Sequence, residues 1–341
     1  MTKFTSIRFT SIRFKQMAHP TKWSVDITRG PPSLLSSVIG TTLQASLVGC
    51  WIGGFVSPFV AAYYGLVKGR RDILYGFLGI VMFGELWPKR VRWNSFRQFY
   101  VKLLPQPFKS HTIKMETLPE KEKPSIMVYH PHGAFSWGFI TSGGWQEYFN
   151  TRGVIGLVAN SLLHAPFFRA IFVNLAGSIE GADKATMIRK MKKGISLGLI
   201  PGGFEEATIS CLGKDRVYLK KRKGFVKYAL QYGYSLTPVY TFGECNLYWN
   251  LQGCWGLRHW MNAQKVPAIV CFGRWWCPLL PRSVDVATIG GTPLVLPKID
   301  NPTKADIDEW HGKYCEALVA HYERWEGEYG AYNGKRGLEV W

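Results

Sequence analysis

Acidic side chains are scarce in this 341-residue chain: 23 Asp and Glu stand against 42 Lys and Arg, a formal net charge of +19. So basic a chain suits a partner that carries negative charge: nucleic acid, anionic lipid headgroups or a polyphosphorylated cofactor. Charge of either sign is also thin, at 19% of residues, below the roughly 25% of globular proteins. With 47% apolar and 15% aromatic residues, the composition excludes a disordered chain and points to a membrane. The seven cysteines (Cys50, Cys211, Cys245, Cys254, Cys271, Cys277 and Cys315) are odd in number and form no C-x-x-C pair. Neither a zinc ribbon nor a disulfide framework is indicated, and a catalytic part facing a reducing cytosol fits best. No cleavable secretory signal is expected at the N-terminus.

Three regions follow from composition. Residues 1–41 carry Lys3, Arg8, Arg13, Lys15, Lys22 and Arg29 against Asp26 alone, and open with a tandem Phe-Thr-Ser-Ile-Arg repeat at 4–8 and 9–13. The acid-poor start is similar in composition to a transit peptide, but the expectation is a disordered basic arm. Residues 42–88 read as a membrane hairpin. No charge occurs from Pro31 to Val67, and Leu43 to Val67 is long enough, at roughly 1.5 Å per residue, to cross a bilayer of about 30 Å. A shorter apolar run, Ile73 to Gly84, follows Lys68, Arg70, Arg71 and Asp72, and Lys89, Arg90, Arg92 and Arg97 close the region. Basic outer flanks place both ends on the cytosolic side, with either two short spans or a re-entrant hairpin between them.

Residues 89–341 read as one α/β domain. Ser125–Tyr129, Val154–Ala159, Ile195–Ile200 and Ser235–Thr241 have the short apolar runs of buried strands, and Ala165–Leu175, Ala182–Lys193, Lys223–Tyr232 and Lys304–Tyr329 have helical spacing. In the last of these, Thr303 is a predicted N-cap, and Ile307, Trp310, Tyr314, Leu318 and Tyr322 lie on one face of an amphipathic closing helix. The fold class predicted is α/β, a mixed sheet flanked by helices.

Three constellations carry chemistry. Tyr129-His130-Pro131-His132-Gly133 falls where a strand ends, the place where open α/β sheets put their sites. A histidine there can serve as a general base at neutral pH, and a helix beginning beyond Gly133 would offer backbone N–H groups to an oxyanion. A His-x-His pair can also hold zinc, but no further ligand follows and no metal is expected. Pro201-Gly202-Gly203-Phe204-Glu205-Glu206 again follows a strand; its glycines allow close backbone approach, and one carboxylate could orient an imidazole. Taken alone, it is an ordinary tight loop opening a helix. Lys214 to Lys227 holds seven cations against Asp215. It is either a solvated face or a site for a phosphate-rich ligand; no nucleic-acid-binding signature accompanies it, so nucleic acid is not expected as a partner.

Together these segments resemble the diacylglycerol acyltransferase type 2 family, which also contains monoacylglycerol acyltransferases and some wax synthases. His130-Pro131-His132-Gly133 looks like its signature tetrapeptide, and 201–206 is similar to its Pro-Gly-Gly-x-x-Glu block. Arg222-Lys223-Gly224-Phe225-Val226-Lys227 and Pro238-Val239-Tyr240-Thr241-Phe242-Gly243-Glu244 resemble the next two. Gly273-Arg274, Gly291-Thr292-Pro293-Leu294, Pro297 to Pro302, His311, Tyr314 and Tyr329-Gly330 continue in order, so the resemblance runs from about residue 40 to 330. Two departures stand out: Glu244-Cys245-Asn246 where many members carry Glu-Asn-Glu, and a poor match over 90–124. The His-x4-Asp of the more distant glycerol-phosphate acyltransferases is missing, since Phe135 and Trp137 occupy the Asp positions.

The resemblance implies a glycerolipid-acyltransferase-like fold, a hairpin anchor in the endoplasmic reticulum with the catalytic domain cytosolic, lipid droplets as a second address, and acyl transfer from acyl-CoA to diacylglycerol, making triacylglycerol. It further implies His132 as the base. On this reading His130 assists, Glu206 or else Glu205 orients the base, backbone N–H groups of Gly133, Gly202 and Gly203 hold the oxyanion, and Arg222 and Lys223 hold the phosphates of acyl-CoA. Direct attack needs no metal or prosthetic group, so acyl-CoA enters as co-substrate and no cofactor is expected. Membrane lipid is the further partner, and self-association is left open. Monoacylglycerol or a long-chain alcohol could replace diacylglycerol on the same scaffold. The competing class is a non-catalytic membrane or lipid-droplet binding protein.

Overall fold

The computed structural model describes residues 23–86, 93–264, 268–330 and 337–341. The tandem repeat and the cations Lys89, Arg90 and Arg92 lie outside the described residues. Eight strands form one sheet: β1 (Val25–Arg29), β2 (Ser110–Met115), β3 (Ser125–His130), β4 (Ile155–Val158), β5 (Ile179–Gly181), β6 (Leu197–Leu199), β7 (Ser235–Phe242) and β8 (Asp285–Gly290). Their spatial order is β1-β2-β8-β7-β3-β6-β4-β5. The run β7-β3-β6-β4-β5 is parallel, whereas β8 is antiparallel to β7 and β1 antiparallel to β2, so the sheet is mixed as predicted.

The helices of interest are α1 (Leu34–Ala62), α2 (Arg71–Leu86), α3 (Asn94–Leu103), α4 (Trp137–Ser142), α5 (Gly203–Ile209), α6 (Gly224–Tyr232), α7 (Trp255–Ala263) and α8 (Lys304–Tyr329). Strand β3 is covered on both faces, which is why it reads as a continuous apolar run. Ile126 and Val128 join a core with Leu230 of α6 and Tyr314, Leu318 and Tyr322 of α8. Met127 and Tyr129 face the other way, into a cluster with Val25, Ile113 and Phe149. Each fully buried Leu or Val of this kind contributes roughly 1.5–3 kcal/mol. Helix α8 starts as predicted: the Thr303 hydroxyl accepts from the Asp306 N–H (3.2 Å) and the Asp306 carboxylate accepts from the Thr303 N–H (2.8 Å), a reciprocal cap.

The N-terminal region departs from expectation. The arm expected to be disordered up to residue 41 contains β1, whose residues pair in register with β2 from Val25 opposite Met115 to Arg29 opposite His111. Helix α1 begins at Leu34, nine residues before the predicted span, because the Ser33 hydroxyl accepts from the Ser36 N–H at 3.2 Å. It runs through Pro58 and continues over Tyr63–Val67, ending where the Lys68 N–H bonds the Tyr63 carbonyl at 3.2 Å. Among the described residues this one helix, Leu34–Val67, is long and apolar enough to cross a membrane. Helix α2, of 16 residues, follows a turn held by the Arg70–Asp72 ion pair at 2.7 Å.

Both helices are tied to the domain near their outer ends. Gln44, fully buried, donates to the Leu104 carbonyl (3.1 Å), and Asn174 donates to the Gly84 carbonyl (2.8 Å). Between those anchors one face of α1 packs on the domain through Leu47, Val48 and Gly54, and the outer face is bare and apolar, with Phe59 at 78% and Leu66 at 75% exposure. Strands β2 and β8 were not predicted, because Ser-His-Thr-Ile-Lys-Met and Asp-Val-Ala-Thr-Ile-Gly mix polar residues into short runs. The helix expected over 165–175 forms as Pro166–Phe168 and a wider turn, Arg169–Ala176.

Candidate active site

The parallel order β7-β3-β6 brings three loops to one end of the sheet: His130–Gly133 after β3, Pro201–Glu206 after β6, and Gly243–Glu244 after β7. Motifs distant in sequence meet there because their strands are neighbours, with Ile126 opposite Leu197 and His130 opposite Tyr240.

His132 is half-buried in the β3 loop. Its Nδ1 lies 2.9 Å from the Gly133 carbonyl oxygen. A carbonyl can only accept, so this contact places the ring proton on Nδ1 and leaves Nε2 with its lone pair. Nε2 lies 3.2 Å from the Ser136 hydroxyl, which is then the donor. Burial lowers the imidazole pKa below the ordinary 6.5, against the opposing pull of the Gly133 carbonyl and the Glu206 and Glu205 charges. Nε2 is thus an unprotonated nitrogen already accepting from a hydroxyl, the state a general base requires.

Glu206 is fully buried in α5, and its carboxylate acts on backbone. Oε1 accepts from the His132 N–H at 2.6 Å and Oε2 from the Tyr218 N–H at 2.7 Å. The contact expected between a glutamate and the His132 imidazole is thus made by the Gly133 carbonyl, and Glu206 fixes the main chain beneath it. A Cβ at Gly202 would collide with the Glu206 carboxylate, so only glycine fits there. His130, fully buried, is 3.1 Å from the Tyr314 hydroxyl of α8 through Nε2 and 3.9 Å from Glu206 Oε1 through Nδ1.

Glu205 points away from its neighbour and pairs with Arg222, whose guanidinium also lies 5.6 Å from the centre of the Tyr218 ring. Lys223 pairs with Asp308 of α8 at 2.6 Å. The two cations expected at phosphate thus sit beside the site, each facing a carboxylate. Gly133 and Gly203 adopt left-handed backbone at φ +58° and +55°.

Glu244 was not predicted as a site residue. Buried after β7, it accepts from the Trp137 and Gly138 N–H groups at 3.0 and 2.7 Å. Those donors of α4 are therefore taken by a carboxylate, and the oxyanion role expected for that helix start does not fall to them. Burial raises the Glu244 carboxyl to about 8, against the two N–H bonds that favour its charged form. A Cβ at Gly133 would strike Glu244, so the tetrapeptide's glycine is matched to this acid. The one available signal was an acid immediately after a strand of apolar residues. The tail adds a second unforeseen element. Glu339–Val340 pairs with Arg216–Val217, and the Trp341 carbonyl accepts from the Leu219 and Lys220 N–H groups. Tyr218 between them turns its own N–H to Glu206.

Residues 80–338 match the family described as Diacylglycerol acyltransferase. The chain belongs to that family. It is similar to human Diacylglycerol O-acyltransferase 2, 31% identical over 222 residues, which is 60% of this chain and 57% of that protein. The chain thus aligns with less than two thirds of the length of this relative. It is also similar to mouse Diacylglycerol O-acyltransferase 2-like protein 6, 29% identical over 308 residues, 78% of this chain and 90% of that one. Among solved structures, the 1-acyl-sn-glycerophosphate acyltransferase of Thermotoga maritima superposes with a TM-score of 0.42 at 14% identity, covering 88% of this chain and 99% of that chain. The match to the diacylglycerol acyltransferase family takes in the whole strand-end cluster, starts within α2 and stops before the tail strand. Its departure at Cys245 lies beneath the site: the buried thiol is 3.5 Å from Asp215, which also accepts from the Tyr240 and Tyr322 hydroxyls.

Proposed function

We propose that the chain transfers the acyl group of acyl-CoA to the free hydroxyl of diacylglycerol, releasing CoA and triacylglycerol. The observation that carries this reading is the state of His132: a half-buried imidazole with its proton committed to the Gly133 carbonyl and Nε2 turned to a hydroxyl, within the segment that matches an acyltransferase family. The acceptor hydroxyl takes the place of Ser136 at Nε2. As its oxygen attacks the thioester carbonyl, the proton passes to Nε2. Collapse of the tetrahedral intermediate breaks the C–S bond, and the imidazolium returns the proton to the departing CoA sulfur.

Glu206 serves as a positioning residue through the His132 main chain, and His130 fills the space between it and Tyr314. Backbone N–H groups near Gly133, Gly202 and Gly203 are assigned to the oxyanion. Arg222 and Lys223 are assigned to the phosphates of CoA, which would displace Glu205 and Asp308. Helices α1 and α2 are read as the membrane anchor that brings this site to a lipid acceptor, on the cytosolic face of the endoplasmic reticulum or on lipid droplets. The test is formation of labelled product from radiolabelled acyl-CoA by microsomes containing the chain, with diacylglycerol, monoacylglycerol and a long-chain alcohol as separate acceptors. Triacylglycerol as the dominant product is expected. Preference for another acceptor would revise the substrate, and no product with any of them would favour a binding protein on this scaffold.

A further inference from the structure

A second apolar surface lies far along the chain from α1 and α2. Trp249–Asn250 and Cys271–Phe272 form a small antiparallel ladder, with Trp249 opposite Phe272 and Asn250 opposite Cys271. The Leu251 N–H to Val270 carbonyl bond at 2.9 Å extends it by one pair. Because side chains alternate along a strand, Trp249, Leu251, Val270 and Phe272 share one face, and all four are exposed, with the Trp249 and Phe272 rings 5.7 Å apart. Asn250 is buried on the other face and bonds the end of α5. The loop that follows is stiff: the Gly273 N–H bonds the Pro278 carbonyl (2.7 Å), the Arg274 N–H bonds the Leu280 carbonyl (3.0 Å), and the Tyr248 hydroxyl bonds the Leu279 carbonyl (2.9 Å). It presents Trp275 at 93% exposure and Trp276 at 52%.

Exposing this much tryptophan to water is costly for a soluble face, and contiguous apolar patches of this kind mark contact surfaces. The charge pattern selects the occupant. Residues 245–284 contain Arg258, Lys265, Arg274 and Arg282 and no Asp or Glu. An acid-free, tryptophan-rich surface fits the headgroup layer of a bilayer, where amphipathic rings settle; its arginines serve the fold, Arg258 buried on the Ala268 carbonyl and Arg274 half-buried on the Pro281 carbonyl. The surface also adjoins the apolar helix: Trp51 of α1 meets Phe135 at 5.2 Å, and Phe135 meets Tyr248, next to Trp249, at 5.2 Å. Phe135 is three residues from His132, so a bilayer touching both surfaces would border the site.

We propose that the ladder and the 274–279 loop form a second, interfacial membrane contact that seats the strand-end site against the lipid surface, independently of whether α1 spans the bilayer. This rests on the reading of the protein as a membrane protein and not on its chemistry. The test places the photocrosslinker p-benzoylphenylalanine at Trp275 or Trp276 in the full chain, reconstituted into phosphatidylcholine–phosphatidylserine vesicles. The control position is Lys193, which is exposed just before β6, at the end of the sheet away from the site. After flotation and irradiation, lipid adducts read by mass should be about tenfold more abundant at 275 and 276 than at 193. Vesicle-bound chain with equal adducts at all three positions overturns the second contact while leaving the α1 anchor and the acyl-transfer reading intact. Crosslinks from 275 and 276 to protein in place of lipid would overturn it in favour of a second copy of the chain, and failure to float would overturn the membrane reading as a whole.

Discussion

The loop that carries His132 and the basic stretch that carries Arg222 flank the same two glutamates, yet they hold charge in opposite ways. Around His132 the main chain takes part in most polar contacts: a carbonyl faces Nδ1 and a buried carboxylate grips two N–H groups, with the Ser136 hydroxyl at Nε2 as the side-chain partner of the ring. Such contacts cannot swing away without moving strands. Around Arg222 and Lys223 the partners are side chains, Glu205 and Asp308, at a quarter to two-fifths exposure. Ion pairs of that kind are worth about 0–1 kcal/mol and can be exchanged for another anion. The first region is fixed by the fold, and the second is open to exchange of one anion for another.

The largest expected effect is at the rigid region. His132→Ala removes the proposed base and should lower turnover about a hundredfold or more, with membrane insertion unchanged. Because burial lowers the imidazole pKa, the acid limb of the wild-type kcat/KM profile should lie at lower pH than an ordinary imidazole would place it. Retention of more than about a tenth of the activity by the alanine variant, at equal expression, would remove His132 from the role of base.

Next is Glu206→Gln. An amide offers one acceptor oxygen where the carboxylate offered two, so either the His132 or the Tyr218 N–H loses its partner. Turnover should fall about tenfold with KM for acyl-CoA little changed, the mark of a residue acting through geometry. Glu244→Gln follows in size. The folded carboxyl titrates at about 8 against an ordinary 4.5. A raised acid binds its proton more tightly when folded, so its contribution to stability is complete below about pH 4.5 and is lost as pH rises through about 8. Resistance of the wild type to thermal unfolding should therefore fall across that window. The glutamine variant should lack this slope and sit about 1–3 kcal/mol lower at the acid end, from the lost acceptor. An unchanged slope would mean that Glu244 is not the titrating group.

How much was legible in the sequence follows the same division. Strands β3, β6 and β7 were visible because burial on both faces forces unbroken apolar runs, and motifs at their ends then had to lie together once those strands were parallel neighbours. The closing helix was visible from its cap and its 3–4 spacing. What stayed hidden depends on partners remote in sequence. Strand β1 is a strand because β2 pairs with it, and its Val-Asp-Ile-Thr-Arg run inside a basic arm gave no sign of that. Glu206 was found, but its bond to main chain was not, since a backbone N–H leaves no trace in sequence. Glu244 appeared only as part of a family block, although its carboxylate ties α4 to the tetrapeptide loop. The tail strand at 339–340 is too short for any periodic signal.

The smallest effect separates the two regions most directly, because it predicts opposite signs for two partners in one ion pair. Arg222 and Glu205 pair with and neutralise each other. If CoA phosphate displaces Glu205, the guanidinium is the attractive group, since its planar fork suits a phosphate, and the carboxylate is the competitor. Arg222→Ala should then raise KM for acyl-CoA by about threefold to tenfold, and Glu205→Gln should lower it by about twofold, both with kcat nearly constant. KM for diacylglycerol should not move in either variant. Were the cations instead holding the protein to anionic lipid, Lys220→Ala and Lys221→Ala would match Arg222→Ala, at roughly 1 kcal/mol each, and all three effects would vanish in neutral detergent micelles. The measurement in micelles is therefore decisive. A normal KM for Arg222→Ala there, or equal losses from Arg222→Ala and Glu205→Gln, would mean that the ion pair is structural and that the phosphates of CoA bind elsewhere.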